Sequence, residues 1–205
     1  FKSNCVGFHT FTTIIMKSIL VCVTSDLATD NRVLRHCELM HQMGFKVQLI
    51  GRILPWSPTM PLLSYRVHRV KLPFLKGPLF YLSYQIWLFF YLLFKKTDIL
   101  WANDLDTVLP CFLVSKLRRQ LFIVDSHELF TEVPELSKSP IKKSIWLFIE
   151  KNVAVKADVF ITVNQSLARI FQQKYGINPK VVRNVPKRID LAPAHSRNLI
   201  HIPEG

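Results

Sequence analysis

Asp125-Ser126-His127-Glu128 places two carboxylates around a hydroxyl and an imidazole, directly after the apolar run Leu121-Phe122-Ile123-Val124. An imidazole can hydrogen-bond a sugar hydroxyl or an anionic oxygen, and it changes protonation near neutral pH. A turn or a helix cap needs no imidazole, so His127 is the candidate catalytic residue; the plain alternative is a histidine satisfied by local backbone. Glu128 and Glu132 are a second carboxylate pair, of undefined separation, and a weak basis for acid–base chemistry. Comparable polar groups follow other apolar runs: Asp26 after Ser18–Val23, Asn103 and Asp104 after Ile99–Ala102, and Asn164 to Ser166 after Val159–Val163. Asp106, Asn164 and Ser166 are better read as helix caps and turn formers.

These groups act together only if the chain brings them to one place. From Ser18 the pattern repeats as apolar run, polar turn and helical period, which predicts strands alternating with helices around a parallel sheet. Strand one is expected at about Lys17 to Thr24. Val33, Leu34, Cys37, Met40 and Met43 recur at helical spacing until Gly44, a left-handed cap. Phe45, Val47 and Leu49 alternate as strand two, and Tyr65, Val67 and Val70 mark strand three after a loop broken by Pro55, Pro58 and Pro61. Later strands are expected at 98–102, 121–124, 158–163 and 180–183, with helices at 107–119, 141–155 and from Asn164 to Gly176, and a loop through Glu132, Pro134 and Pro140. Parallel strands point their carboxyl ends to one edge, so the polar groups should line one crevice there.

Leu79 to Phe94 is almost wholly apolar between Lys76 and Lys95-Lys96. A helix of that length spans roughly 24 Å, short of the ~30 Å hydrocarbon core, so it reads as a buried or interface-seeking helix. Phe1 to Ile15 has no clear period, and residues 1–15 are taken as an upstream extension or artefact ahead of Met16. The chain of 205 residues, 49% hydrophobic, can bury a full core. Its four cysteines form no C-x-x-C pair, which excludes a zinc or disulfide framework and points to a reducing, cytoplasmic setting. The net charge of +13 calls for an anionic neighbour. The basic residues lack RNA-binding or zinc-finger signatures, so a basic face toward an anionic membrane surface is expected rather than nucleic acid. No glycine occupies the turn Thr24 to Asp30, which excludes the dinucleotide fingerprint. Walker, nucleophile-elbow and H-E-x-x-H motifs are also missing.

Several segments, taken in order, resemble the amino-terminal domain of family 4-like GT-B glycosyltransferases. They are Asp30-Asn31-Arg32-Val33 with Gly44-Phe45-Lys46-Val47; Asp98 to Asp104; Val124 to Phe130 with Glu132; Ala157 to Asn164 before Tyr175-Gly176; and Val182-Arg183-Asn184-Val185-Pro186. The resemblance covers about Met16 to Pro186. It implies an α/β, Rossmann-like open, mostly parallel sheet with helices on both faces, the N-terminal half of a GT-B architecture, at 16–186. It implies a retaining enzyme of hexosyltransferase type that transfers sugar from a nucleotide-sugar donor to a polysaccharide or glycolipid acceptor. No cofactor and no metal are expected. His127 would lie in the interdomain cleft near the transferred sugar, with Asp26, Asp30, Asn31, Arg32, Asn103, Asp104, Asp125, Glu128 and Asn164 along the acceptor and donor cleft. The first strand-to-helix loop departs from the glycine-rich form found in many members.

The family's paired-glutamate donor motif is not in the chain. Residues 187–205 are therefore expected to be a linker toward a C-terminal nucleotide-sugar domain, with negligible transfer by this chain alone. The expected partners are that domain, a sugar or lipid-linked acceptor, and an anionic membrane surface at the inner face. A different class stays open beside it: a non-catalytic α/β module binding a phosphorylated ligand or a protein.

Overall fold

The computed structural model describes residues 16–133, 136 and 139–185. The expectations for 1–15, Pro134, Pro186 and 187–205 lie outside them. Seven strands form one sheet: β1 (Ser18–Asp26), β2 (Lys46–Arg52), β3 (Arg66–Val70), β4 (Ile99–Asn103), β5 (Leu121–Ser126), β6 (Val159–Thr162) and β7 (Lys180–Val181). Their order is β3-β2-β1-β4-β5-β6-β7, and every pair is parallel. The order reverses between β1 and β4, so a crevice opens beyond their carboxyl ends.

Alternation within β1 divides the core. Leu20 and Cys22 face one layer, in which α2 (Pro78–Leu93), α3 (Leu105–Arg118), α4 (Pro140–Asn152) and α5 (Gln165–Tyr175) pack. Ile19, Val21 and Val23 face the other, covered by α1 (Asn31–Gln42) through Val33, Cys37 and Met40. Both faces of β1 are thus dry, which is why it reads as a continuous apolar run. The helix ends follow local chemistry. Asp30 accepts from the Val33 amide and Asn164 from the Leu167 amide, each at an N-cap. Gly44 and Gly176 take φ of 88° and 69°, conformations that cost a side chain more than glycine. Met43, placed by its spacing on the apolar stripe of α1, is instead exposed beyond the helix end.

Two features of α2 and α3 bear on the site. On α2, Phe80, Tyr84, Leu88 and Leu92 are buried at four-residue spacing, while Leu79, Leu82, Ile86 and Phe90 are exposed. Among the described residues no helix is long and apolar enough to cross a membrane. On α3, Pro110 lies inside the helix and has no amide hydrogen for the carbonyl of Asp106. Gln85 of α2 supplies the missing donor, its Nε2 lying 2.6 Å from that oxygen.

Gly51 of β2 shows how closely the sheet packs on the first crossover. A Cβ there would stand 2.5 Å from Leu27 Cδ2 and 2.9 Å from Val23 Cγ2, both in buried side chains. Gly51→Ala is expected to destabilise by roughly 1–3 kcal/mol through overpacking; urea denaturation with no change in midpoint would count against this packing.

Asp106 was expected as a cap and is instead a buried acid, only 6% exposed, whose Oδ2 accepts from Thr24 of β1. Burial raises its pKa to about 7, reinforced by the charge of Asp104 and opposed by the Thr24 hydrogen bond and Arg52. A folded pKa above the unfolded ~3.9 means the folded chain binds this proton more tightly. The contribution to stability is therefore full below about pH 4 and lost as pH rises toward 7. Asp106→Asn should flatten the decline in stability between about pH 4 and pH 7, by up to roughly 1 kcal/mol per pH unit. Urea titrations across that range check it, and parallel declines in both proteins would contradict it.

Candidate functional site

Strands β4 and β5 pair with Asn103 opposite Asp125. One residue on, the Asp104 amide donates to the Asp125 carbonyl at 2.9 Å, extending the pairing past the end of β4. To make this bond and still turn into α3, Asp104 adopts φ 56°, ψ 168°. That region belongs essentially to glycine and costs another residue about 1–3 kcal/mol. The conformation aims its carboxylate across the strand ends at His127. Asp104 Oδ1 accepts from the His127 amide at 3.3 Å and stands 2.9 Å from Nδ1 of the ring. On the other side, Nε2 is 3.1 Å from Asp125 Oδ2. This second contact lacks hydrogen-bond alignment, and both of its atoms are buried without a hydrogen-bond partner. The imidazole is thus held at one nitrogen and unsatisfied at the other. Ser126 Oγ donates to the Glu128 carbonyl at 3.1 Å and closes the turn that carries the ring.

The first helix approaches from the opposite face with two cationic or proton-binding groups. Arg32 Nη2 lies 3.8 Å from Asp104 Oδ2, and His36 Nδ1 lies 3.7 Å from Asp125 Oδ2. Both distances exceed a hydrogen bond and act as charge contacts. Burial raises the pKa of Asp125 to about 7, with Arg32 opposing and the Asp104 charge adding. Burial likewise raises Asp104 to about 7, opposed by Arg32 and reinforced by Glu128 and Asp30. The push is firmer at Asp125, whose side chain is 1% exposed against 30% for Asp104. His36 is shifted down by burial and then by Arg32 and Arg35, against the pull of Asp30. Near neutral pH this cluster can therefore hold or release protons, and a protonated Asp125 becomes a donor beside Nε2.

Not every expected cleft residue joins this cluster. Asp26 accepts from Ser57 Oγ at 2.5 Å, Arg69 Nη2 at 3.1 Å and the Ala28 amide at 3.2 Å. Despite burial, these bonds hold its carboxyl below the usual range. Asp26 thus ties β3 and the loop after β2 to the end of β1. Asn103 is buried and turned inward, its Nδ2 lying 3.4 Å from the Cys22 carbonyl across β1. Asp30 is the α1 cap and also accepts from Ser25 Oγ. Asn31 and Glu128 are exposed, and Glu128 faces an apolar cavity between α2 and α4.

A second, open notch of about 530 Å³ is lined by Arg32, His127, Asn164, Arg183 and Asn184. Arg35 Nη2 holds Asn184 Oδ1 at 2.6 Å, fixing the strand-end segment against α1. Two cations and an imidazole at this notch favour an anionic group, while the neighbouring carboxylates favour developing positive charge. His36 and Arg183 were not picked out as site residues by sequence. The four-residue spacing of Arg32 and His36 on one helix face was the available signal for the former. Among the described residues no group of three or more His, Cys, Asp and Glu is placed to hold a metal ion.

Comparison with known proteins bears on what this geometry serves. In solved structures, the chain is similar to sucrose-phosphate synthase from Thermosynechococcus elongatus, with TM-score 0.61, 13% identity, and coverage of 80% of this chain and 47% of that one. It is similar to a glycosyltransferase from Rickettsia africae, with TM-score 0.54, 11% identity and coverage of 82% and 43%. Anabaena HepE, solved in complex with UDP-glucose, gives TM-score 0.53, 15% identity and coverage of 82% and 44%. The chain thus spans less than half the length of these three proteins, and likenesses at such identities carry the fold alone. No curated protein sequence matches the chain. The family model described as Glycosyltransferase Family 4 matches residues 30–192, from the cap of α1 through the last strand, and on that match the chain belongs to Glycosyltransferase Family 4.

Proposed function

We propose that this chain is the acceptor-side wall of a retaining, hexosyltransferase-type glycosyltransferase cleft, closed by a second domain that binds a nucleotide sugar. The observation that carries the proposal is the His127 ring, fixed at Nδ1 by Asp104 and unsatisfied at Nε2, beside the cationic notch. Transfer breaks the bond between the anomeric carbon and the leaving phosphate and forms one to an acceptor oxygen, whose proton passes to the departing phosphate. Negative charge grows on the phosphate and positive charge on the sugar ring. Arg32 and Arg183 suit the first, and the carboxylates of Asp104 and Asp125 suit the second. His127, held at Nδ1 by Asp104 and with Nε2 turned inward to Asp125, would present its exposed ring edge in the notch to the transferred sugar and position it with little reorganisation. The nucleotide sugar acts as substrate, bound mainly by the second domain.

In protein carrying that second domain, His127→Ala should lower kcat by roughly 100-fold or more, within the usual range for a positioned acid, base or hydrogen-bonding group. Asp104→Asn should lower it less, since the ring stays but loses its charged anchor. Steady-state kinetics with folding followed by circular dichroism checks both, and an unchanged rate in His127→Ala would reject the role.

The enzyme is further proposed to work as a cytoplasmic, peripheral protein at the inner membrane face, in polysaccharide or glycolipid synthesis. The supporting observation is the exposed apolar stripe of α2, Leu79, Leu82, Ile86 and Phe90, near exposed Lys76 and Lys96. Apolar side chains flanked by lysines suit an interface with acidic headgroups. Flotation with vesicles of mixed anionic and neutral phospholipid should carry the protein upward at low salt, less at high salt, and hardly at all with neutral vesicles alone. Failure to float at low salt would remove membrane association.

A further inference from the structure

A cavity of about 600 Å³ opens between α2 and α4, with Leu109 of α3 at its floor and Phe130 of the turn after β5 at its side. That volume is typical of pockets for small molecules, and such pockets are mostly apolar with a few placed polar groups. Its aromatic wall is already packed edge to face: Tyr81 against Trp146 at 5.5 Å and Phe130 against Trp146 at 5.2 Å. The polar groups are Gln85, Glu128 and Lys142. Gln85 is informative. Its Nε2 is committed to the Asp106 carbonyl that Pro110 leaves without a helical donor, and its Oε1 is buried with no hydrogen-bond partner. With its Oε1 closed off and its Nε2 engaged, Gln85 fixes α2 against the first turn of α3 and leaves the cavity wall mainly apolar.

The cavity is also joined to the transfer site by sequence and by contact. Glu128 follows His127 directly, and Gln85 bonds the first turn of α3, whose N-cap is Asp104. We infer that this cavity seats the aliphatic chain of a lipid-linked acceptor, with the acceptor's polar head turned toward Glu128 and His127. The inference rests on the proposed transferase function and narrows its acceptor to an amphiphile. A polysaccharide strand would need a trough dense in paired polar groups, and three polar side chains in a mainly apolar wall do not provide one.

Two observations favour a chain entering from a bilayer over a free flat ring. Leu82 and Ile145 line the cavity and are themselves more than half exposed, so its rim is apolar, and Ile141 and Phe148 add exposed apolar surface on α4. Lys142 at the lining and Lys76 beside Gly77 place positive charge where an anionic head or linking phosphate would sit.

Calorimetry with n-decyl β-glucoside below its critical micelle concentration tests the inference, with methyl β-glucoside as the head alone and 2-naphthyl β-glucoside as the flat aromatic alternative. Saturable binding of the decyl compound is expected, at least 10-fold tighter than either other probe. Leu109→Trp, which fills the floor, and Ile145→Arg, which charges the exposed rim, should each weaken it at least 10-fold. Leu117→Arg, on exposed α3 surface outside the cavity, should not. Ile145→Arg keeps the test decisive if Leu109→Trp fails to fold. No saturable binding, preference for the naphthyl compound, equal binding of methyl glucoside, or unchanged binding in folded Ile145→Arg would each overturn the inference. Loss of turnover in His127→Ala without decyl binding in the wild type would leave the transferase proposal standing and remove this one alone.

Discussion

Carboxylates taken out of water beside the sheet edge are the constraint on which the site depends. Asp104, Asp106 and Asp125 cluster where β4 and β5 end, and burial pushes each toward the protonated state. An isolated buried charge is costly enough that a group gives up its charge or finds partners. Each of these acids does some of both. Asp106 takes the Thr24 hydroxyl, Asp104 takes the His127 ring and the approach of Arg32, and Asp125 has two imidazoles at charge-contact distance. The result joins β1, α1, β5 and the junction of β4 with α3 through polar contacts that would be weaker in water. The proton content of the cluster is consequently a property of the set and not of one residue.

The layer of helices on the other side of the sheet solves a different problem. α2 is apolar all round, so it buries one side against the sheet and leaves another uncovered. It is anchored by polar contacts at its middle and at its C-terminal end as well as by packing. Tyr84 donates to the Val23 carbonyl, Gln85 to the Asp106 carbonyl, and Arg118 of α3 reaches the Leu93 and Lys95 carbonyls at 2.7 and 2.8 Å near the helix terminus. The bonds from Gln85 and Arg118 satisfy carbonyls that a proline or a helix end leaves open. They also fix the rotation of α2, and so decide which of its apolar side chains face outward.

Much of this architecture is legible in the amino-acid order, for local reasons. The β1 run is apolar because both its faces are dry, and Gly44, Asn164 and Gly176 announce helix ends through their own backbone and side-chain chemistry. Burial on α2 was not legible, since a helix without polar periodicity does not say which face is inside. At the site, the placement of His127 after β5 follows from the strand pattern. Its clamp by Asp104 does not, because that depends on strand register and on a backbone conformation that sequence rules assign to glycine. Asp26 looked like a cleft residue by position, yet the fold of the loop carrying Ser57 and the approach of Arg69 draw it elsewhere. Long-range partners of that kind are set by tertiary packing, which no spacing rule contains.

The backbone of Asp104 sets chemical competence against thermal robustness at a single codon. Glycine would relax the main chain there and remove a partly buried acid, so selection for heat resistance alone would favour it. The same change would free the His127 ring from its anchor. A lineage that keeps aspartate at this place is retaining local strain in return for an oriented imidazole, and a library screened only for survival of heating would tend to discard the feature that distinguishes this edge from an ordinary turn.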